Sequence, residues 1–247
     1  MLNTVKFNDS ALILNIHPYG EDSAIIKLFT HQNGLRSGFV KNINSKTQKN
    51  IYQIGNLITA DFYYKQPEKN LANLFYSELV KSYCLNFLLD RLKFNLMQSL
   101  LHLLNHSLTE NIIFYQLFEE VIFFANQLIN NNTNDALANY IKIELKILER
   151  MGYGLDLNKC IATHSTANLV FVSPKSGGAV SYEAGKDFAH KLLSLPSFLV
   201  SNTQSKKYLV EKAELHQGLQ LTGFFLKKFL DYERKNLSSQ LYMQLND

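Results

Sequence analysis

The chain of 247 residues has only two cysteines, Cys84 and Cys160. That is too few for a disulfide framework and suits a reducing cytoplasm, where a buried thiol behaves as a small apolar side chain. No N-terminal segment joins a basic start to a long apolar run. The greasiest stretches are broken by Glu, Gln, Lys or Asn well before the roughly 18 apolar residues a membrane span needs. The expected location is the cytoplasm. Signatures of covalent chemistry are missing as well: there is no Gly-x-Ser-x-Gly, no Gly-x-Gly-x-x-Gly after a strand, and no Lys-Ser/Thr after Ser176-Gly177-Gly178 to complete a phosphate-binding loop. Glu21, Asp22 and Asp61 lie near turns, where carboxylates cap backbone amides. His102 and His106 are spaced i, i+4 but have no Glu at 103 and no companion Asp or Cys nearby, so they read as a helix-face pair with no ligand role. These gaps point to a protein that is not an enzyme. Repeats of fixed period and coiled-coil heptads are absent too, and the one low-complexity feature is a short asparagine run after Ile129.

The most informative absence is of negative charge. From Ser23 to Ala60 there is no Asp or Glu, while Lys27, Arg36, Lys41, Lys46 and Lys49 all fall there, so this segment carries five positive charges in a chain whose net charge is +4. Such a distribution is expected of a surface that follows a phosphate backbone. Within it, Ala24 to Thr30 and Leu35 to Val40 read as two strands joined at Asn33-Gly34, a strong tight-turn signal, and should pair as a hairpin. Residue parity puts Lys27 opposite Ile26 and Leu28. It puts Arg36 on one face with Gly38 and Val40, opposite Leu35, Phe39 and Lys41. Lys46 and Lys49 fall in a loop that can reach from a barrel rim. Tyr63 and Tyr64 must face opposite sides of a strand, and one of them is a candidate stacking platform for a base.

An apolar content of 46% is ample for a packed core. Five short runs rich in β-branched and aromatic residues, Ser10 to Ile16, Ala24 to Thr30, Leu35 to Lys41, Asn56 to Tyr64 and Asn73 to Val80, suggest a small barrel of OB or SH3-like type. From Lys81 the period changes to 3.6. Leu85, Leu88, Leu89, Leu92, Leu96, Leu100, Leu103 and Leu104 predict one face of a long amphipathic helix. Ser107-Leu-Thr-Glu110 has the spacing of a capping box before a largely apolar helix reaching Ile129. A further helix is expected from Ala136 to Met151, with Gly152 as its left-handed cap. Residues 153 to 185 read as an irregular insert with one β-like run, Leu169 to Ser173. Helix should resume from Tyr182 or Glu183 to about Leu195, and again from Lys206 to the end.

Pro18-Tyr-Gly-Glu-Asp-Ser-Ala24, Leu28-Phe-Thr-x-x-x-Gly-Leu35, Ser37-Gly-Phe-Val-Lys41, Gly152-Tyr-Gly-Leu-Asp-Leu-Asn-Lys-Cys160 and Ser173-Pro-Lys-Ser-Gly-Gly-Ala179 occur in this order over most of the chain. Together they resemble the RecO family of bacterial recombination mediators. The resemblance implies an α+β protein: an OB-type five-stranded barrel over 1–80 for DNA binding, then a helical domain over 81–247 with the irregular insert at 153–185. In many relatives that insert holds a structural zinc on two Cys-x-x-Cys pairs. Here the matching positions are Cys160, Thr163, Ser181 and Ala184, so no metal and no other cofactor is expected.

The implied function is that of a mediator at the bacterial nucleoid. It would bind single- and double-stranded DNA, anneal complementary strands and engage the acidic C-terminal tail of single-stranded DNA-binding protein. With RecR it would help load RecA. The expected DNA contacts are Lys27, Arg36, Lys41, Lys46 and Lys49. For the tail, Lys142, Lys146, Arg150, Lys227 and Lys228, with Lys206, Lys207 and Lys212, border apolar faces of segments 136–151 and 206–235, which predicts a pocket between the two. An OB-type RNA-binding protein and a purely structural interaction protein are the rival readings.

Overall fold

The computed structural model describes residues 5–65, 71–110, 112–200 and 210–234. The chain divides into two compact units, 1–125 and 126–247. Among the described residues no helix is long and apolar enough to cross a membrane.

In the first unit, strands β1 (Val5–Tyr19), β2 (Ser23–Thr30), β3 (Gly34–Lys41), β4 (Asn56–Tyr64) and β5 (Leu71–Ser82) form a ring in the order β1-β2-β3-β5-β4, which closes where β4 pairs with β1. Every pairing is antiparallel except β3 with β5, which is parallel over Ser37–Phe39. This is the OB-type barrel. It closes because side chains alternate. Ala11, Ile13, Ala24, Ile26, Leu28, Val40, Ile58, Ala60, Phe62 and Ala72 point inward and are buried, and the four alanines leave room in a narrow interior for Phe62 and Tyr64. A short helix, α1 (Lys46–Ile51), occupies the segment between β3 and β4 that was expected to be loop, with the Ser45 hydroxyl as its N-terminal cap.

The barrel is greasy on part of its outside too. Leu12, Leu14 and Phe29 face outward and are buried, and Phe29 meets the edge of Phe118, with ring centroids 5.3 Å apart. Helices α2 (Tyr83–Asn86), α3 (Arg91–Ser107) and the first part of α4 (Tyr115–Asn130) belong to this unit, and the division between units falls inside α4. The β2–β3 turn is held against the segment before α4. The His31 ring lies 4.5 Å from Tyr115 and its Nε2 is 2.6 Å from the Glu119 carboxylate, while Leu35 forms a β-bridge with Glu110. Gly34 has φ +71°, and a Cβ there would collide with the Ile112 carbonyl oxygen. Left-handed backbone and close approach thus both demand glycine.

Two helical expectations are corrected here. The long helix from Lys81 is broken: the Asp90 carboxylate accepts from the Lys93 amide at 3.1 Å and caps a new start at Arg91. Leu85, Leu88 and Leu89 are left exposed, while Leu92, Leu96, Leu100, Leu103 and Leu104 are buried. The capping-box reading of Ser107–Glu110 also fails. Ser107 ends α3, and helix resumes only at Tyr115, because docking of the hairpin turn takes Glu110 into a bridge with Leu35.

In the second unit, α5 (Thr133–Arg150) starts three residues before the expected Ala136, with the Asn132 side chain accepting from the Asp135 amide at 2.9 Å. Gly152, at φ +88°, follows its C-terminus as expected. Strands β6 (Leu169–Val172), β7 (Ala179–Ser181) and β8 (Leu193–Ser194) form a small sheet in the order β7-β6-β8. The helix expected from Tyr182 to Leu195 is instead one turn, α6 (Tyr182–Gly185), then a 3-10 segment over Lys186–Lys191 and the strand β8. Leu193 pairs there with Val172, and sheet pairing overrides the helical pattern. Helix α7 (Lys212–Leu230) packs against α5; Lys206, Lys207 and the chain after Arg234 lie outside the described residues. Glu144 of α5, fully buried, accepts from Arg234 Nε and Nη2 at 2.6 Å each and from the Thr222 hydroxyl at 2.6 Å.

Candidate nucleic-acid interface

The five cations of the acid-free segment fall into two groups. Lys27 lies on the outer face in register with Asn15 and Ser37, and its ammonium donates to the Asn105 carbonyl at 3.0 Å, near the C-terminus of α3, where the helix dipole favours a cation. Arg36 pairs with Leu28 and so takes the inward parity of Gly38 and Val40; it is half-buried. Burial raises the Tyr64 hydroxyl above its usual range, and the positive charge of Arg36 opposes that shift. Lys27 and Arg36 therefore stand on opposite sides of one sheet. Lys41, at the end of β3, and Lys46 and Lys49, on α1, are exposed. They form the part of the basic segment most open to a phosphate chain.

Register then shows what surrounds Lys41. Tyr19, Ser23 and Lys41 lie in one row across β1, β2 and β3; His17, Ile25 and Phe39 form the next. The turn between β1 and β2 is tied to the residues after β3, since the Ile43 amide donates to the Asp22 carbonyl at 3.1 Å and the Asn44 amide to the Asp22 carboxylate at 3.3 Å. Of the adjacent tyrosines, Tyr64 is core and Tyr63 lies on the outside with the Lys6 ammonium 5.2 Å from its ring centroid.

The second unit holds a cavity of about 400 Å³ beside α5. Lys142 and Lys146 stand on its wall with Leu145, Leu155, Leu157 and Phe198. Its far side is thus the start of the insert and the 198–199 turn, whereas the expected opposite wall was segment 206–235. Lys146 pairs with Glu149 at 2.9 Å. Arg150, in the last turn of α5, is half-buried. Two of the α7 cations are engaged elsewhere: Lys228 donates to the Pro174 and Lys175 carbonyls at 2.6 and 3.0 Å, and Lys227 pairs with Glu233 at 2.6 Å, while Lys212, at the start of the helix, is exposed.

Residues 3–83 match the family model for the N-terminal part of recombination protein O, and residues 88–238 match that for its C-terminal part. Proteins named DNA repair protein RecO are similar over nearly their whole length. The Rickettsia typhi protein is 36% identical over 239 residues, 96% of each chain. That of Rickettsia felis is 37% identical over 244 residues, 97% of this chain and 98% of its own. That of Orientia tsutsugamushi is 36% identical over 233 residues, 94% and 93% respectively. The chain belongs to the RecO family.

In this RecO-family chain the residues of the insert do not fit a zinc ion. Cys160 is fully buried and accepts from the Ser181 amide at 3.3 Å. Burial pushes its thiol up, but hydrogen bonds from Thr163 and Ser181 outweigh that and draw it down to about 6. One thiolate among hydroxyls lacks the four nitrogen or sulfur ligands of a structural site. Among the described residues no group of three or more His, Cys, Asp or Glu could hold a metal ion. Sequence reasoning did not single out Tyr19, His17 or Phe39, although pairing the predicted hairpin residue by residue places Phe39 two positions from Lys41 on the same face.

Proposed function

We propose that this RecO-family chain is a non-enzymatic DNA repair and recombination mediator that binds single- and double-stranded DNA through the barrel and anneals complementary strands. With RecR it helps load RecA onto DNA covered by single-stranded DNA-binding protein. The observation that carries the reading is the acid-free segment Ser23–Ala60, folded so that Lys41, Lys46 and Lys49 are exposed at one end of an OB-type barrel. Cations there replace counterions on phosphate, a gain in entropy that needs no base identity and serves either strand of a duplex about to form. We assign DNA binding to residues 1–80 and partner binding to 81–247. The Lys142–Lys146 cavity has the chemistry to receive an acidic tail ending in apolar residues and a free carboxylate, with an ammonium for the carboxylate and leucines and Phe198 for the apolar end.

The test is annealing of complementary oligonucleotides coated with single-stranded DNA-binding protein, followed by fluorescence quenching. The protein should accelerate annealing, and removal of the coating protein's C-terminal tail should abolish the effect on coated strands while leaving it on bare ones. No acceleration on bare strands would overturn the mediator reading.

A further inference from the structure

We propose that Tyr19, backed by Phe39 and flanked by Lys41, is a stacking site for an unpaired nucleobase, so that the barrel holds single strands by their bases as well as by their phosphates. This rests on the reading that the barrel binds DNA. Tyr19 is 61% exposed at the end of β1, and its ring stands edge to face with that of Phe39, centroids 5.8 Å apart and planes at 88°. In that arrangement only one ring offers its face to the other, so Phe39 covers at most one face of Tyr19. Phe39 is half-buried and in register with Ile25, which fixes the pair on the sheet. Tyr19 and Lys41 both flank Ser23, so two strand spacings, about 9 to 10 Å, separate their backbones. A nucleotide stacked on Tyr19 can therefore place its phosphate against the Lys41 ammonium.

Two other exposed tyrosines of the first unit lack this setting. The Tyr76 hydroxyl is bonded to the Glu78 carboxylate, whose charge repels phosphate, and the Tyr115 ring lies against His31. Around Tyr19 the acids are Glu21 and Asp22. The Asp22 carboxylate is committed to the Asn44 amide, and β2 and β3 carry no acid. Aromatic rings stack any base, because every base has a π-face, so the site is tolerant of sequence and blind to a strand without bases.

The experiment uses the full chain and two labelled strands of equal length, an oligothymidylate and an abasic oligonucleotide, titrated by anisotropy. Wild type should bind the thymidylate about 5- to 150-fold more tightly than the abasic strand, the range for stacking of one base. Tyr19→Ala should remove most of that preference and leave the salt dependence unchanged, and Tyr19→Phe should retain it. Tyr19 is exposed, so neither variant should change the melting temperature. A wild-type preference that survives in Tyr19→Ala overturns the proposal, as does equal binding of both strands by wild type. If wild type binds neither strand, the DNA-binding reading itself fails.

Discussion

Replacing Arg234 with alanine removes two of the hydrogen bonds accepted by Glu144, one to each carboxylate oxygen, and leaves the carboxylate fully buried beside Thr222. Breaking a buried ion pair by deleting one partner costs about 3 to 5 kcal/mol, because the remaining charge is uncompensated. The Thr222 hydroxyl stays in place, and water can enter the space left by a guanidinium that is partly exposed, so the low end, about 3 kcal/mol, is expected. With a urea m-value of about 2 kcal/mol/M, the unfolding midpoint of α5 and α7 falls by about 1.5 M, readable by far-UV circular dichroism. Substituting both partners, Glu144→Leu with Arg234→Met, should recover most of the loss, since an apolar pair of similar volume carries no desolvation cost. Thr222 would not be orphaned there, because its hydroxyl also reaches the Gly218 carbonyl at 3.1 Å. A single variant within about 1 kcal/mol of wild type, or a double variant no more stable than the single, would refute this reasoning.

Gly34→Ala should destabilise the first unit by more than the roughly 1 kcal/mol of a strained φ alone, because its methyl meets the Ile112 carbonyl; an unchanged melting temperature would contradict the docked turn. Burial pushes the Cys84 thiol up to about 11, so it should resist alkylation at pH 8 until the protein is denatured. The sign for stability follows: Cys84's contribution is intact below the unfolded thiol pKa, about 8.5, and is lost as pH rises to about 11, because the unfolded chain ionises first. Urea midpoints at pH 8 and pH 10.5, wild type against Cys84→Ala, measure it. Elemental analysis should find well under one zinc per chain, and a chelator should leave the melting temperature unchanged.

Most of the barrel was legible because Ala24–Thr30 and Leu35–Lys41 are rich in β-branched and aromatic residues and Asn33-Gly34 marks the turn between them. Pattern alone left OB and SH3-like closures open; the family resemblance favoured OB, and the strand order agrees. Parity correctly joined Arg36 to Gly38 and Val40. It could not say which side was the interior, since Leu35 and Phe39 on the other face are equally apolar. Leu85, Leu88 and Leu89 continue the leucine period of α3 without sharing its burial, and only the cap at Asp90 marks the break. Contacts between residues distant in sequence were out of reach. Nothing local announces that Lys27 reaches Asn105, or that the hairpin turn is seated on Ile112 and Tyr115. The insert likewise contributes Leu155 and Leu157 to the cavity beside α5, and an irregular segment gives no periodic signal of the face it presents.

The central claim is that the exposed lysines of the acid-free segment carry the DNA, and the salt dependence of binding tests it most directly. If Lys41, Lys46 and Lys49 each meet one phosphate, log K against log salt should fall with a slope of about −2.1 on single strands and −2.7 on duplex, steepening toward −3.5 and −4.5 if Lys27 and Arg36 join them. Lys41→Ala with Lys46→Ala should flatten the single-strand slope by about 1.4. A slope unchanged in that double variant would contradict the account.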